Sequence, residues 1–314
     1  MAARLSPTPP DAVPAELFRP ASQVHERAEA ITRPPVGRWA DAWGRFRQNR
    51  MAVAGLVVLL VVGFMAVAGP HMTPYDYRQT SLLDTDLPPS AEHWFGTDEL
   101  GRDIFTRLWY GARISLLIGI LAASIDLVIG VAWGGIAGYF GGVVDDVMMR
   151  IVDVLYGIPY LLIVILLVVV VGPGLWSIVI AMGSVGWVGM ARLVRGQVLQ
   201  IKEQEYVLAA RALGVPPLKI VWRHVIPNTL GVILVNVTLT VPGAIFGEAF
   251  LSFIGLGVQD PLASLGSMIY SSYQVLRVYP HELFFPSAVL SLILLGFNFL
   301  GDGLRDALDP RERR

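Results

Sequence analysis

The chain has 314 residues, of which 54% are hydrophobic and only 16% are charged, a balance that soluble domains of this length rarely reach. The formal net charge of −1 gives no sign of nucleic-acid binding, and the lack of cysteine excludes disulfides, thiol catalysis and cysteine-ligated metals. The five histidines are scattered without the spacing of metal ligands, so we predict no metal site.

The first 40 residues are rich in proline and lack apolar periodicity, which is typical of disordered segments. We therefore predict that residues 1–40 form a disordered tail. The first apolar run starts only after Arg50 and is not followed by a persuasive cleavage site, so no secretory signal peptide is expected.

Six apolar stretches are long enough to span a membrane, because about 20 apolar residues in a helix cover a hydrocarbon core of roughly 30 Å. The sequence thus predicts an all-α integral membrane protein with six transmembrane helices. Gly157–Pro159 and Pro242–Gly243 suggest kinks in the third and fifth spans, which irregular packing explains better than gating. The six spans lie at or near Ala52–Ala68, Ile114–Tyr139, Ile151–Val171, Leu175–Leu193, Thr229–Phe250 and Leu283–Leu300.

The placement of lysine and arginine orients these spans. Basic residues concentrate before span one, in the loop after span four and at the C-terminus, whereas the loop after span five has only Arg277. With an even number of spans, the three basic segments fall on one side, which we predict to be cytoplasmic. Both termini are then cytoplasmic, and the segment 71–110 is external.

The end of the external segment, GTDELGRDIFTRLWYGARISLL, mixes charges with Ile104, Phe105, Leu108 and Trp109. That spacing suits an amphipathic helix at the membrane interface that leads into span two. An ordinary surface helix has the same pattern, and the sequence does not separate the two.

The loop after span four predicts two short helices. Tyr206, Ala209, Ala210 and Leu213 fall at i, i+3, i+4 and i+7 and form one apolar stripe on the first helix. Gly214 occupies the place of a C′ residue and ends that helix. An exposed apolar stripe on such a loop favours a docking partner over packing against the chain's own spans.

Two prolines, Pro216 and Pro217, follow the first helix and prevent its continuation. A second short helix is predicted over Pro217–Val225, with proline in its first turn. Pro227 is expected to stop this helix, and Asn228 to cap span five.

This loop resembles the EAA loop of the permease subunits of ABC importers, a pattern of E-A-A, three residues, Gly, nine residues and I-x-L-P. Ala209, Ala210 and Gly214 occupy the matching positions, although Leu208 replaces the glutamate and His224 the isoleucine. The strings EYVLAARALG and RHVIPN are similar to the peptide-permease branch, in which Glu205 stands three positions earlier.

The resemblance extends over most of the chain. Residues 45–69 resemble the extra N-terminal span of the C-type subunit of dipeptide, oligopeptide and nickel permeases. Other matching segments are HWFGTDELGRDIFTRLWYGARISL at 93–116, MRIVDVLYGIPYLL at 149–162, GEAFLSFIGLGVQDPLASLG at 247–266 and GDGLRDALDPRERR at 301–314. Asp260 and Leu265 depart from a commoner proline and tryptophan of that family.

The resemblance implies a type I ABC importer permease fold in the cytoplasmic membrane of a prokaryote. It implies an N-terminal span at 41–70 and a core five-helix domain at 111–314 with the EAA-type loop at 203–228. The implied partners are a homologous second permease, two ATPase subunits, an external substrate-binding protein and membrane lipid. ATP and Mg would be bound by the ATPase subunits, so this chain needs no cofactor and is not an enzyme, and it contains no GxxxxGK[ST] string.

In such importers a coupling helix docks on an ATPase subunit, and the resemblance places it at about residues 203–214. The residues assigned to ATPase coupling are Glu205, Tyr206, Ala209, Ala210, Leu213 and Gly214.

Three carboxylates fall within or near the spans, where ionisable groups line water-filled cavities or pair with other groups. Asp126 faces the translocation pathway, or it is a protonated carboxyl or makes an interhelical hydrogen bond. Asp153 is expected to pair with Arg150 on one helix face. Glu248 is placed on the pathway too, where it helps to close a gate or pairs with the second permease.

Dipeptides or oligopeptides are the predicted substrates, and nickel and glutathione remain alternatives. A self-sufficient secondary transporter or channel is a further alternative, which leaves the stripe and the Gly-Pro stops of the loop unexplained. An intramembrane aspartyl protease that uses Asp153 and Asp302 is less favoured, because the supporting GxGD string is absent.

Overall fold

The computed structural model describes residues 37–308. Residues 37–41, the described part of a first compact unit that ends at Asp41, begin helix α1, and the second unit starts at Ala42. Nearly all of the predicted disordered tail lies outside the described residues, as does the C-terminal segment 309–314. In chain order the helices are α1 Arg38–Gln48, α2 Arg50–Ala68, α3 Ile104–Phe140, α4 Gly142–Tyr156, α5 Tyr160–Val171, α6 Leu175–Ile201, α7 Glu205–Ala212, α8 Pro217–Ile220, α9 Ile226–Phe253, α10 Leu265–Val275 and α11 Pro280–Leu308.

The membrane-spanning architecture agrees with the all-α prediction. Five stretches, which contain α2, α3, α6, α8–α9 and α11, are long and apolar enough to cross a membrane. Helices α4 and α5 are apolar enough to cross a membrane as a pair and are bent by 81° at their junction, so the described residues contain five spans, or six if this pair is one broken span. The break falls at residues 157–159, where Pro159 precedes α5 and lacks the N–H that would continue α4. The kink predicted in the third span is therefore confirmed, whereas α9 runs as one helix through Pro242.

Helix α3 begins earlier than the predicted span and contains 37 residues. At 1.5 Å per residue it is about 55 Å long, well beyond the thickness of a hydrocarbon core. Ile104, Phe105 and Leu108 in its first turns are 1%, 5% and 0% exposed. The prediction of an amphipathic interfacial helix is therefore wrong, because these apolar residues pack inside the protein as a continuous extension of span two.

Helices α3 and α6 approach closely because glycine recurs every fourth residue on α3. A Cβ atom on Gly134 would overlap the carbonyl oxygen of Ala191, and one on Gly138 would lie 3.0 Å from the carbonyl oxygen of Arg195. Small residues at this spacing let membrane helices pack backbone against backbone. This close contact fixes α3 and α6 to each other, and Asp126 lies on α3.

The two ends of the bundle differ. At the end that we call the loop end, the Lys202 Nζ donates to the carbonyl oxygen of Gly138 at 3.0 Å, and α7 and α8 follow. At the opposite end, which we call the cap end, the irregular segment 72–103 contacts the chain that follows α9. There Arg102 Nη1 lies 2.8 Å from Asp260 Oδ1. Asp103 caps α3 there and accepts a hydrogen bond from the backbone N–H of Thr106.

Candidate functional site

Helix α7 at the loop end is a single short helix with a defined stop. Gly214 has φ of +76°, the left-handed conformation that favours glycine, and it follows the C-cap residue Leu213. The backbone N–H of Val215 donates to the carbonyl oxygen of Ala210 at 3.1 Å, as expected of a glycine-terminated helix. The predicted position of Gly214 at C′ is confirmed.

The two faces of α7 have different surroundings. Val207 is fully buried and Ala210 is 8% exposed, and both belong to an apolar cluster with Val198, Ile220 and Val225. On the other side, Tyr206 is 44% exposed and Leu213 is 83% exposed, and Glu205, Ala209 and Gly214 are exposed as well.

The stripe predicted from sequence is therefore divided. Tyr206, Ala209 and Leu213 face outward, whereas Ala210 faces the bundle, so its assignment to the outer stripe is wrong. The buried anchor that sequence reasoning missed is Val207, three positions before Ala210 on the same face. The available signal in the sequence was the apolar Val207 at i, i+3 spacing from Ala210.

The second short helix does not end where predicted. Helix α8 continues through a π-helical turn at Val221–Val225 directly into α9, so Pro227 starts a helix instead of stopping one. The wide turn lets Ile226 donate to the carbonyl oxygen of Val221, and Pro227 falls in the first turn of α9. Asn228 does not cap span five: its side-chain amide donates to the carbonyl oxygen of His224 at 2.7 Å.

Helix α7 is attached to the ends of the long helices. The guanidinium of Arg211 lies 5.6 Å from the ring centroid of Tyr139, near the C-terminus of α3. Lys202, just before α7, bonds to Gly138 on the same helix end. Arg211 thus brings α7 into contact with the end of α3, and Lys202, which follows α6, joins that same end to α6.

Two ion pairs join α4 to α6. Arg195 donates from Nε and Nη2 to the two carboxylate oxygens of Asp145, each at 2.6 Å. Arg192 Nη2 lies 2.6 Å from Asp153 Oδ1, and its guanidinium lies 3.9 Å from the ring centroid of Tyr156. The predicted Asp153–Arg150 pair is wrong, because the tertiary contact with α6 brings a closer partner.

The same pairing bears on the aspartyl protease alternative. Asp153 is engaged by Arg192, and Asp302 is exposed on α11. A proteolytic dyad needs two carboxylates that share one water. The geometry of the described residues does not support this activity.

A cavity of about 520 Å³ lies between α3, α6, α9 and the break in the third span. Its walls include Ile158 and Pro159 at the break, and Thr240 and Gly243 on α9. Asp126 on α3 also lines it and is 7% exposed. Of the two carboxylates that were placed on a pathway, only Asp126 reaches this space.

Glu248 is instead fully buried in a network of hydroxyl groups. Ser115 Oγ donates to its Oε2 at 2.8 Å, and Ser252 Oγ donates to its Oε1 at 2.7 Å. The hydroxyl of Ser115 also accepts from the backbone N–H of Leu265 at 3.1 Å. Glu248 thus ties α9 to α3 and to the start of α10, and it does not line this cavity. Its predicted role at a gate or against a second permease stays a prediction.

Comparisons with known proteins cover nearly the whole chain. The family model described as binding-protein-dependent transport system inner membrane component matches residues 130–314, and the N-terminal TM domain of oligopeptide transport permease C matches residues 37–89. The dipeptide transport system permease protein DppC of Bacillus subtilis is 54% identical over 303 residues, 96% of this chain and 95% of that protein. The oligopeptide transport system permease protein OppC of the same organism is 52% identical over 302 residues, 96% of this chain and 99% of that protein.

Among solved structures, a chain of the inward-facing MetNI methionine ABC transporter is similar in fold. The TM-score is 0.52 at 21% sequence identity, and the match covers 63% of this chain and 94% of that chain. The fold of the helical bundle is therefore shared with a chain of that transporter.

Proposed function

The chain belongs to the family of binding-protein-dependent transport system inner membrane components, and we propose that it is the permease subunit of an ATP-driven importer of dipeptides or oligopeptides. The observation that carries the proposal is helix α7, whose underside, at Val207 and Ala210, is fixed to the bundle while its outer face is exposed. The relatives named as dipeptide and oligopeptide permeases support the substrate class.

The loop end faces the cytoplasm in this proposal. Arg45, Arg47 and Arg50 flank the start of α2, and Arg211 and Lys219 lie on the loop that carries α7 and α8. Positive charge beside short membrane loops favours the cytoplasmic side. The cap end is then external, and it is the end at which a substrate-binding protein delivers the peptide.

ATP-dependent movement enters through α7. Two ATPase subunits bind ATP and Mg, and one of them receives the outer face of α7, with Glu205, Tyr206, Ala209, Leu213 and Gly214 in the contact. Ala210 acts from beneath, as the contact between α7 and the bundle. This chain performs no chemistry of its own; it transmits movement as a rigid body.

The other half of the translocation path comes from a homologous second permease. Long helices carry the movement across the membrane. One of them is the continuous stretch of 37 residues, Pro217–Phe253, formed by α8, the π turn and α9. The break at residues 157–159 provides a place at which the third span can bend. Closure of the ATPase pair moves α7, and through Lys202 and Arg211 it moves α3 and α6.

The test is purification of this chain from its native membrane in mild detergent, followed by reconstitution into vesicles with whatever subunits accompany it. We expect a second permease and two ATPases, and ATP-dependent uptake of a labelled dipeptide that depends on an external binding protein. Uptake of nickel or glutathione in place of peptide would redirect the substrate class. Recovery of the chain alone, with uptake that needs no ATPase, would replace the proposal by a secondary transporter or channel.

A matched pair of variants tests the role of α7. Ala209 is exposed, so Ala209→Glu adds bulk and charge to the outer face without disturbing the core. It should abolish uptake while membrane insertion is retained, whereas Ala209→Ser should leave uptake intact. Equal uptake by both variants contradicts the assignment of α7 as the coupling helix.

A further inference from the structure

Asp126 has an unusual environment for a carboxylate. It is 7% exposed, and its Oδ1 has no hydrogen-bond partner among the described residues. The carboxylate packs against Gly186 on α6, where a Cβ atom would overlap both of its oxygens. A buried carboxylate without a partner is costly, and such groups within membrane spans mark ligand and ion sites.

The walls of the cavity around Asp126 are otherwise apolar or neutral. Hydroxyl groups come from Tyr156, Tyr160 and Thr240, and most of the remaining wall is aliphatic or glycine. No basic side chain is among the described residues that line the cavity. Arg192, which lies against the Tyr156 ring, is already paired with Asp153.

The chemistry of this cavity therefore selects a cation. A divalent metal ion is a poor fit, because it requires several oxygen or nitrogen ligands and the wall offers one carboxylate and no histidine. A small organic ammonium is a good fit, since one charge-assisted hydrogen bond to a carboxylate satisfies both groups and the apolar wall accommodates the rest of the molecule. The volume lies in the range of roughly 300–1,000 Å³ that is usual for small-molecule sites.

We propose that Asp126 binds the α-ammonium group of the peptide as it crosses the membrane, an inference that rests on the proposed function. The α-ammonium is the positive group that all unmodified linear peptides share, whatever their side chains. A site that recognises it accepts many sequences and rejects peptides with a blocked amino terminus. The carboxylate of the peptide is repelled from Asp126 and points toward the face completed by the second permease.

The chain offers a direct reporter for this site because it contains no cysteine. Gly189 lines the cavity on α6, and a Cβ atom there would meet nothing within 4 Å. In the complete importer, Gly189→Cys therefore places a single thiol of this chain on the wall. The rate at which this thiol is alkylated, measured by mass spectrometry of this subunit, reports whether the cavity is occupied. The assay needs no ATP.

The probes are alanyl-alanine and its N-acetyl derivative. We expect alanyl-alanine to slow the alkylation. The acetylated peptide should give the same protection only at a concentration about tenfold higher or more, because it has lost a charged hydrogen bond. Addition of Asp126→Asn should remove this difference. Addition of Thr240→Val, which alters the same cavity without changing its charge, should preserve it.

The outcomes separate this inference from the proposed function. Equal protection by the two peptides in the parent variant overturns the role of Asp126, as does a difference that survives Asp126→Asn. Uptake of alanyl-alanine by the wild-type complex, measured in parallel, keeps the proposed function standing in either case. If the wild-type complex takes up neither alanyl-alanine nor any longer unmodified peptide, the proposed function fails and this inference falls with it.

Discussion

Arg195 on α6 holds Asp145 on α4 through two parallel hydrogen bonds of 2.6 Å each. The Asp145 side chain is 10% exposed, whereas Asp153, which pairs with Arg192 on the same two helices, is 54% exposed. Both pairs lie on the loop-end side of the break at residues 157–159. Together they hold α4 against α6, which in turn packs closely on α3.

The two pairs should differ in their contribution to stability. Arg195→Ala leaves the buried carboxylate of Asp145 without its partner, which costs more than the about 0.2–1 kcal/mol that an exposed pair contributes. We therefore expect Arg195→Ala to lower the thermal unfolding temperature in detergent far more than Arg192→Ala does. Equal shifts of the unfolding temperature from the two variants would show that the Arg195–Asp145 pair stabilises the protein no more than the Arg192–Asp153 pair does.

Ser115 should matter for stability more than its size suggests. Its hydroxyl donates to Glu248 and accepts from Leu265, so Ser115→Ala removes two buried hydrogen bonds. We expect a loss of about 1–3 kcal/mol of unfolding free energy. Ser124→Ala is the control, because the exposed Ser124 bonds only to the carbonyl oxygen of Ile120 on its own helix, and it should change stability little.

The close approach of α3 and α6 predicts strong sensitivity at Gly134. Even Gly134→Ala places a methyl group against the backbone of Ala191, which forces the two helices apart. Overpacking of this kind costs about 1–3 kcal/mol. Gly196→Ala on α6, where a Cβ atom meets nothing within 4 Å, should be neutral or slightly stabilising. The check is the unfolding temperature of the two variants side by side.

The helices and their approximate ends follow from local features of the sequence. Apolar runs predict the spans, and the glycine at Gly214 and the proline at Pro159 mark real interruptions, because a missing Cβ or N–H acts within one turn of its own position. The family resemblance rests on the same local strings. Because these features depend only on neighbours along the chain, the amino-acid sequence alone is enough to detect them.

Some of the errors concern contacts between distant segments, and others concern a local turn that the sequence pattern does not reveal. Asp153 pairs with Arg192 on another helix and not with Arg150 on its own, and Ala210 packs in an apolar cluster with Val198 and Val225. Pro227 follows a π turn at Val221–Val225, in which Val221 and Val225 are buried in an apolar cluster. Such contacts depend on which helices pack against each other, and local patterns in a single sequence do not predict that packing.

The division of α7 into a buried and an exposed face yields the last prediction. Val207→Ala removes buried methyl groups from the apolar cluster beneath the helix, so it should lower the unfolding temperature, with a cost of about 1–3 kcal/mol. Leu213 is 83% exposed, so Leu213→Ala should leave that temperature nearly unchanged.

If the outer face of α7 binds an ATPase subunit, Leu213→Ala should impair transport more than Val207→Ala does, which is the reverse of their effects on stability. Leu213→Ala removes apolar area from the contact and should reduce peptide-stimulated ATP hydrolysis by the reconstituted complex several-fold, since interface anchors cost about 1–2 kcal/mol on truncation. Val207→Ala, assayed below its unfolding temperature, should retain most of that stimulation. A Leu213→Ala complex with full stimulation would remove Leu213 from the contact and confine the coupling surface to the first turns of α7, around Glu205, Tyr206 and Ala209.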